Sequence, residues 1–202
     1  HPGYTVPTYA RMSKPVAEPE QRIVAVAPPD PAWPRRFRAE AVLLQLVFGD
    51  NLIALHHVGS TAIPGIYAKP VIDMMPIVRD LDAVDADSAL LQALGYIARG
   101  EWGIPGRRYF HKGETLRIYQ AHVYAEGNPE IERHLRFRDF LIAHPEKARA
   151  YGELKRELAQ HYPHDIYGYM DGKDALIKQY LAEALSWQPD RNELFKHRPG
   201  DT

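Results

Sequence analysis

Cysteine is absent from all 202 residues, which removes disulfides, thiolate metal sites and cysteine nucleophiles together. Long apolar runs are absent as well: none approaches the roughly 20 residues that cross a bilayer. There is no excess of either charge, with 25 basic against 26 acidic residues. A protein that grips duplex nucleic acid normally carries a basic field or stripe, so long nucleic acid is not expected as a partner. The beginning shows no charged-then-apolar targeting segment. These absences together lead us to expect a cytoplasmic protein that does not meet membrane and acts on a small ligand or a local protein surface.

What is present is an ordinary globular composition, 45% hydrophobic and 25% charged. A domain of this length buries roughly 70% of its unfolded surface and needs no covalent staple. Residues 1–21 carry several prolines and no periodic apolar pattern, so an extended arm is expected there. The core is expected over 22–187, with a polar tail over 188–202.

Within the core, Ile23–Ala27 reads as a short β-type run. Asp30 and Pro31 open a helix whose face holds Trp33, Phe37, Leu44 and Val47, and Gly49 ends it. Leu52–Val58 and Pro70–Val78 read as strands, Ala86–Leu94 as a helix, and Arg107–His111 and Leu116–Ala125 as further strands. Beyond Pro129 the pattern turns helical: Phe137 with Leu141, then Tyr151, Leu154 and Leu158, then a helix over Asp171–Leu185. The fold class expected is therefore α/β (α+β): a mixed β-sheet with flanking helices and a helical C-terminal third.

The segment from His56 to Met75 carries the chemistry. A strand ends at Val58, and Gly59, Ser60 and Thr61 follow at once, a combination that lets backbone and hydroxyls approach phosphate oxygens. Lys69 can add a point charge. Asp73 then stands as a carboxylate in an apolar strand, where it is costly unless paired, hydrogen-bonded or bound to metal. The bland reading, a turn held by Asp73 accepting from Ser60 or Thr61, is open at this stage.

Val58-Gly59-Ser60-Thr61-Ala62-Ile63-Pro64-Gly65, followed by Lys69-Pro70-Val71-Ile72-Asp73, resembles the signature of the GrpB proteins (UPF0157), a family assigned to the nucleotidyltransferase superfamily. Pro31 to Pro34, Leu94 to Tyr96, Arg107 to Phe110, Ala121 to Val123, Phe137 to Leu141, Tyr151 to Lys155, and Tyr169 with Lys173 extend the resemblance over about 22–187. The resemblance implies a nucleotidyltransferase-like sheet that binds a nucleotide or phosphorylated small molecule. Gly59, Ser60, Thr61 and Lys69 would hold phosphate, with Arg108, Arg138, Lys155 and Lys173 as further contacts. It also implies a metal site at Asp73 and His122, which would serve as catalytic residues. The family's pattern places a second carboxylate two residues after the first, and here Met75 stands there, so transfer chemistry rests on an incomplete carboxylate set. A single manganese or magnesium ion, less readily zinc, would be the cofactor. Glu114 is the nearest carboxylate that could complete the set. For His122 the alternative is a neutral imidazole bonded to Asp73 or Tyr124. For Lys155 and Lys173 it is a solvated helix face, for Arg107 and Arg108 a solvated hairpin, and for His56 and His57 packing rather than ligation. Arg138 and the adjacent Asp139 are expected on different helix faces. The family is sometimes joined to dephospho-coenzyme A kinase, which implies a link to coenzyme A metabolism. A non-catalytic ligand-sensing or partner-binding module is the second reading.

Overall fold

The computed structural model describes residues 23–113 and 116–189. Glu114, the expected arm over 1–21 and the tail from 190 onward lie outside the described residues. Five strands form one mixed sheet: β1 (Leu52–Val58), β2 (Ile72–Val78), β3 (Tyr96–Ala98), β4 (Arg107–Lys112) and β5 (Tyr119–Ala125), in the order β1-β2-β5-β4-β3. The central pair β2 and β5 is parallel, with Asp73 beside Gln120 and Met74 beside Ala121; the other pairings are antiparallel.

Side chains alternate across a strand, and the two faces of this sheet differ in kind. Ile72, Met74 and Val78 of β2 join Ala121 and Val123 of β5 in an apolar layer. That layer packs under Trp33, Leu44 and Phe48 of α1 (Trp33–Phe48), Val84 of α2 (Leu81–Ala86) and Leu91 of α3 (Ser88–Ala93). The opposite face carries Asp73, Met75, His122 and Tyr124. Met75 and Tyr124 are fully buried there with Val58, against Ile131 and Leu135 of α4 (Pro129–Ala143). The helical third continues through α5 (Pro145–His161) and α6 (Ile166–Ser186). Its own core joins Leu141, Tyr151 and Tyr180 to Ile63 and Ile66 of the segment between β1 and β2. That segment therefore belongs to the sheet at both ends and to the helices in its middle.

Some elements differ from the sequence reading for identifiable reasons. The run at Ile23–Ala27 is not a strand; Ala27 makes a single bridge to Ala68. Helix α1 starts two residues later than expected, because Asp30 accepts from Ala32 N (2.8 Å) in a turn that precedes the helix and Pro34, not Pro31, occupies its first turn. The helix expected over Ala86–Leu94 is two short helices divided at Asp87. Helix α6 begins at Ile166, five residues early, capped by Asp165 accepting from Tyr167 N (3.1 Å) and Gly168 N (3.0 Å). Gly168 and Gly172 hid that first stretch, since glycine is a poor helix former.

Helix α5 meets the β1–β2 segment through Gly152, where an added Cβ would lie 3.0 Å from Tyr67 N and 3.1 Å from Ile66 Cβ. Backbone cannot yield there as a flexible side chain can. Gly152→Ala should therefore destabilise the protein by about 1–3 kcal/mol, the usual effect of overpacking. Urea unfolding of the two proteins measures it, and equal midpoints with equal slopes would show that α5 stands off the segment.

Candidate functional site

Asp73 lies where the polar face of the sheet meets the segment after β1. Its Oδ1 is 3.1 Å from His122 Nε2, so the two residues face the same cleft. The other nitrogen of His122, Nδ1, lies 3.3 Å from Arg107 Nη1. Arginine only donates, so Nδ1 accepts and the imidazole proton sits on Nε2, directed at the carboxylate. This fixes His122 as the neutral tautomer between one donor and one acceptor. Arg107 is itself buried and also donates to the carbonyls of Glu101 (3.1 Å) and Trp102 (2.8 Å). Those bonds hold Trp102 at φ 48°, a conformation uncommon for a non-glycine residue. The His134 ring stands 5.8 Å from His122. Burial, then the neighbouring His122, lowers its pKa to about 3, so it too is neutral.

Gly59 completes this end of the cleft. Its φ is +71°, and a Cβ there would come within 2.5 Å of Asp73 Oδ2. Both the backbone conformation and the close approach of the carboxylate require glycine. Ser60 opens the short turn that follows and is half-buried.

Three lysines converge on the same carboxylate from three segments. Lys155 of α5 is 1% exposed, and its Nζ has no hydrogen-bond partner among the described residues. It stands over the ring of Tyr151, 4.3 Å from the centroid. Lys173 of α6 and Lys69 of the β1–β2 segment share the ring of Tyr169, at 4.7 and 5.5 Å. Burial first, then Lys173 and Lys69, drive the Lys155 pKa well below its ordinary value, with Asp73 opposing. The pKa of Lys173 falls to about 7, through burial and then Lys69. The helix spacing produces both stacks: Tyr151 and Lys155, like Tyr169 and Lys173, are four residues apart and so lie on one face.

The structure thus brings Gly59, Ser60, Lys69, Asp73, His122, Lys155 and Lys173 to one region. Other residues singled out from the sequence stand elsewhere. The Thr61 hydroxyl is committed to Val71 O (3.1 Å) and to His57 Nε2 (2.9 Å), and it holds the turn. His57 also stacks on Phe37 at 4.8 Å, a packing role. Arg108 points to the opposite face and pairs with Asp85 of α2 at 2.7 and 3.0 Å. Its neighbour Arg107 occupies the cleft instead, and strand alternation was the signal that separates them. Arg138 is buried, donates to His57 O (3.0 Å) and pairs with Asp139 (2.8 Å), so these adjacent residues meet rather than diverge. Its place is to fasten α4 to β1.

The donor set does not fit a protein-held divalent ion. Asp73 is a single carboxylate, Met75 fills the i+2 position inside an apolar cluster, and both His122 nitrogens are engaged. No group of three His, Cys, Asp or Glu side chains among the described residues could hold a metal ion. Also among the described residues, no helix is long and apolar enough to cross a membrane.

Comparison with known proteins agrees with this geometry in extent. Residues 23–183 match the family model described as GrpB protein. The UPF0157 protein YqkA of Bacillus subtilis is 48% identical over 160 residues, which cover 79% of this chain and 47% of that protein. A dephospho-CoA kinase of Mycolicibacterium paratuberculosis is 30% identical over 189 residues, 81% of this chain and 46% of its own length. The chain thus spans about half of each of these two relatives. The crystal structure of the conserved protein GrpB from Enterococcus faecalis superposes with a TM-score of 0.77 at 41% identity, covering 80% of this chain and 97% of that one.

The lysine pocket has a consequence for stability without ligand. Lys173 has a folded-state pKa of about 7 against an ordinary 10.5, so folding favours its neutral form. Its cost is therefore fully present below pH 7 and is relieved as pH rises toward 10.5. Urea unfolding should show stability rising from about pH 7 upward, and Lys173→Met should flatten that rise. A rise of the same size in both proteins would mean that Lys173 is charged and solvated.

Proposed function

The chain belongs to the GrpB family, and from the geometry of its lysine pocket we propose that it binds a nucleotide or phosphorylated small molecule with the phosphate against Lys69, Lys155 and Lys173. The buried Lys155 ammonium carries this reading. A buried charge without a hydrogen-bonding partner costs several kcal/mol, and Tyr151 offers only its ring face. A phosphate oxygen entering the cleft would supply the missing acceptor, and Lys69 and Lys173 would add charge on its other sides. Gly59 gives the ligand close access to backbone, and Ser60 supplies a hydroxyl at the same turn.

Asp73 would work through its neighbours. It fixes the His122 tautomer, and its negative charge keeps the three ammoniums from repelling one another without relief. The relative named dephospho-CoA kinase makes nucleotides of the coenzyme A type reasonable first ligands. Nucleotidyl transfer is the chemistry implied by the family resemblance, and a metal would supply the charge neutralisation that such transfer uses. The donor set here does not fit a protein-held metal, so we route no step through one. Binding and orientation of the phosphate are what these residues can do themselves.

Thermal unfolding with and without AMP tests the reading, because a ligand that binds only the folded protein raises its apparent stability. The midpoint of the unaltered protein should rise with AMP concentration. Lys155→Met should be at least as stable without ligand, since it removes an unpaired buried charge. It should lose most of the ligand-dependent rise, because a charge-assisted hydrogen bond contributes roughly 1.5–3 kcal/mol. An equal rise in both proteins would place the phosphate elsewhere.

A further inference from the structure

The pocket also has a charge count, and the count selects among phosphates. The groups that act on one another are Lys69 from the β1–β2 segment, Asp73 from β2, Lys155 from α5 and Lys173 from α6. Tyr151 and Tyr169 separate them with ring faces, and burial raises the Tyr169 pKa, so that hydroxyl stays neutral. His122, which faces Asp73 from β5, is a neutral tautomer whose donor is already used on the carboxylate. With all three amines protonated, the cluster carries three positive charges against the single negative charge of Asp73. A doubly ionised terminal phosphate brings the sum to zero. A phosphodiester leaves an unbalanced positive charge inside the protein. A triphosphate brings an excess of negative charge that the available donors cannot offset through a protein-held metal.

We propose that the Lys69–Lys155–Lys173 pocket is a site for a dianionic phosphomonoester, and that protons enter the lysines together with the anion. This rests on the phosphate-binding reading above and narrows its ligand class. The amines crowd one another and Lys155 is shut away from water, so part of their charge is given up while the pocket holds no anion. An entering dianion makes the protonated forms favourable again, and the bound-state lysine pKa values rise. Apparent affinity is therefore greatest below the free-state value for Lys173 of about 7 and falls as pH climbs through the higher bound-state value. Below pH about 6 the phosphate itself loses its second charge, so affinity peaks between these limits. The direction of proton movement separates the two titrations: lysine protonation takes protons from buffer, whereas ionisation of the phosphate would release them.

Calorimetry at pH 7.5 in two buffers of different ionisation heat measures that direction, with AMP, 3′,5′-cyclic AMP and ATP in EDTA as probes. The expected result is net proton uptake with AMP, binding of the cyclic diester at least about tenfold weaker, as befits a lost charge-assisted contact, and no gain with ATP. Lys173→Met should bind AMP more weakly and take up fewer protons. Binding of AMP with proton release, with no proton exchange, or with uptake unchanged by Lys173→Met overturns the proton coupling. Tighter binding of metal-free ATP, or equal binding of the diester, overturns the dianion. In either case phosphate binding itself stands. No binding by AMP and ATP alike overturns both readings. Melting curves of each variant confirm that a lost signal is not a lost fold.

Discussion

A carboxylate in the middle of an apolar strand is tolerable only where donors reach it, and Asp73 sets that requirement for everything around it. His122 Nε2 meets it directly, and the need to present Nε2–H brings in Arg107 to occupy Nδ1. Arg107 in turn ties down the backbone at Glu101 and Trp102. On the other side the carboxylate presses so close to Gly59 that no side chain fits there. One acidic residue thus determines the tautomer of a histidine, the identity of a glycine and the conformation of a distant loop.

The three lysines answer the same charge in another way. None is printed here with a carboxylate partner of its own; two stand over Tyr169 and one over Tyr151. A cation over an aromatic face gains roughly 0.5–2 kcal/mol, well short of the hydration that a buried ammonium gives up. Packing against tyrosine therefore positions the amines without satisfying them. Such an arrangement is poor scaffolding and good preorganisation, because the cost of gathering the charges is met by the fold before any anion arrives.

The sheet was legible because its strands are apolar runs bounded by glycine and proline, and Leu52–Val58 emerged with the bounds that periodicity implies. The segment from Gly59 to Asp73 was legible as a site because a strand carboxylate after a glycine-serine turn is chemically conspicuous. The choice between Arg107 and Arg108 needed the register of β4 against β5, which pairs Tyr109 with His122 and so sends Arg107 and Arg108 to opposite faces. The burial of Lys155 could not be read from α5 alone. It depends on α6 lying alongside, and the start of α6 was obscured by two glycines. The recurring Tyr-x-x-x-Lys spacing was a local signal, since residues four apart on a helix meet. What it could not show was that both pairs turn inward.

Met75 and the lysines are two aspects of one arrangement. Methionine at that position is fully buried with Val58 and Tyr124, under Leu135 of α4. A second carboxylate in its place would be desolvated among apolar groups and would need metal charge from solution to offset it. The positive charge here comes instead from the chain, on α5 and α6, with Lys69 beside them. That source has a structural condition: the charges reach Asp73 only while the helical third is docked on the sheet. Arg138 fastens α4 to β1, while Ile63 and Ile66 fasten the β1–β2 segment into the helical core. The same segment carries Gly59 and Ser60 at one end and Lys69 at the other. Docking of the helices and assembly of the pocket are therefore a single event, and a ligand held between the lysines and the turn would bind the two layers to each other.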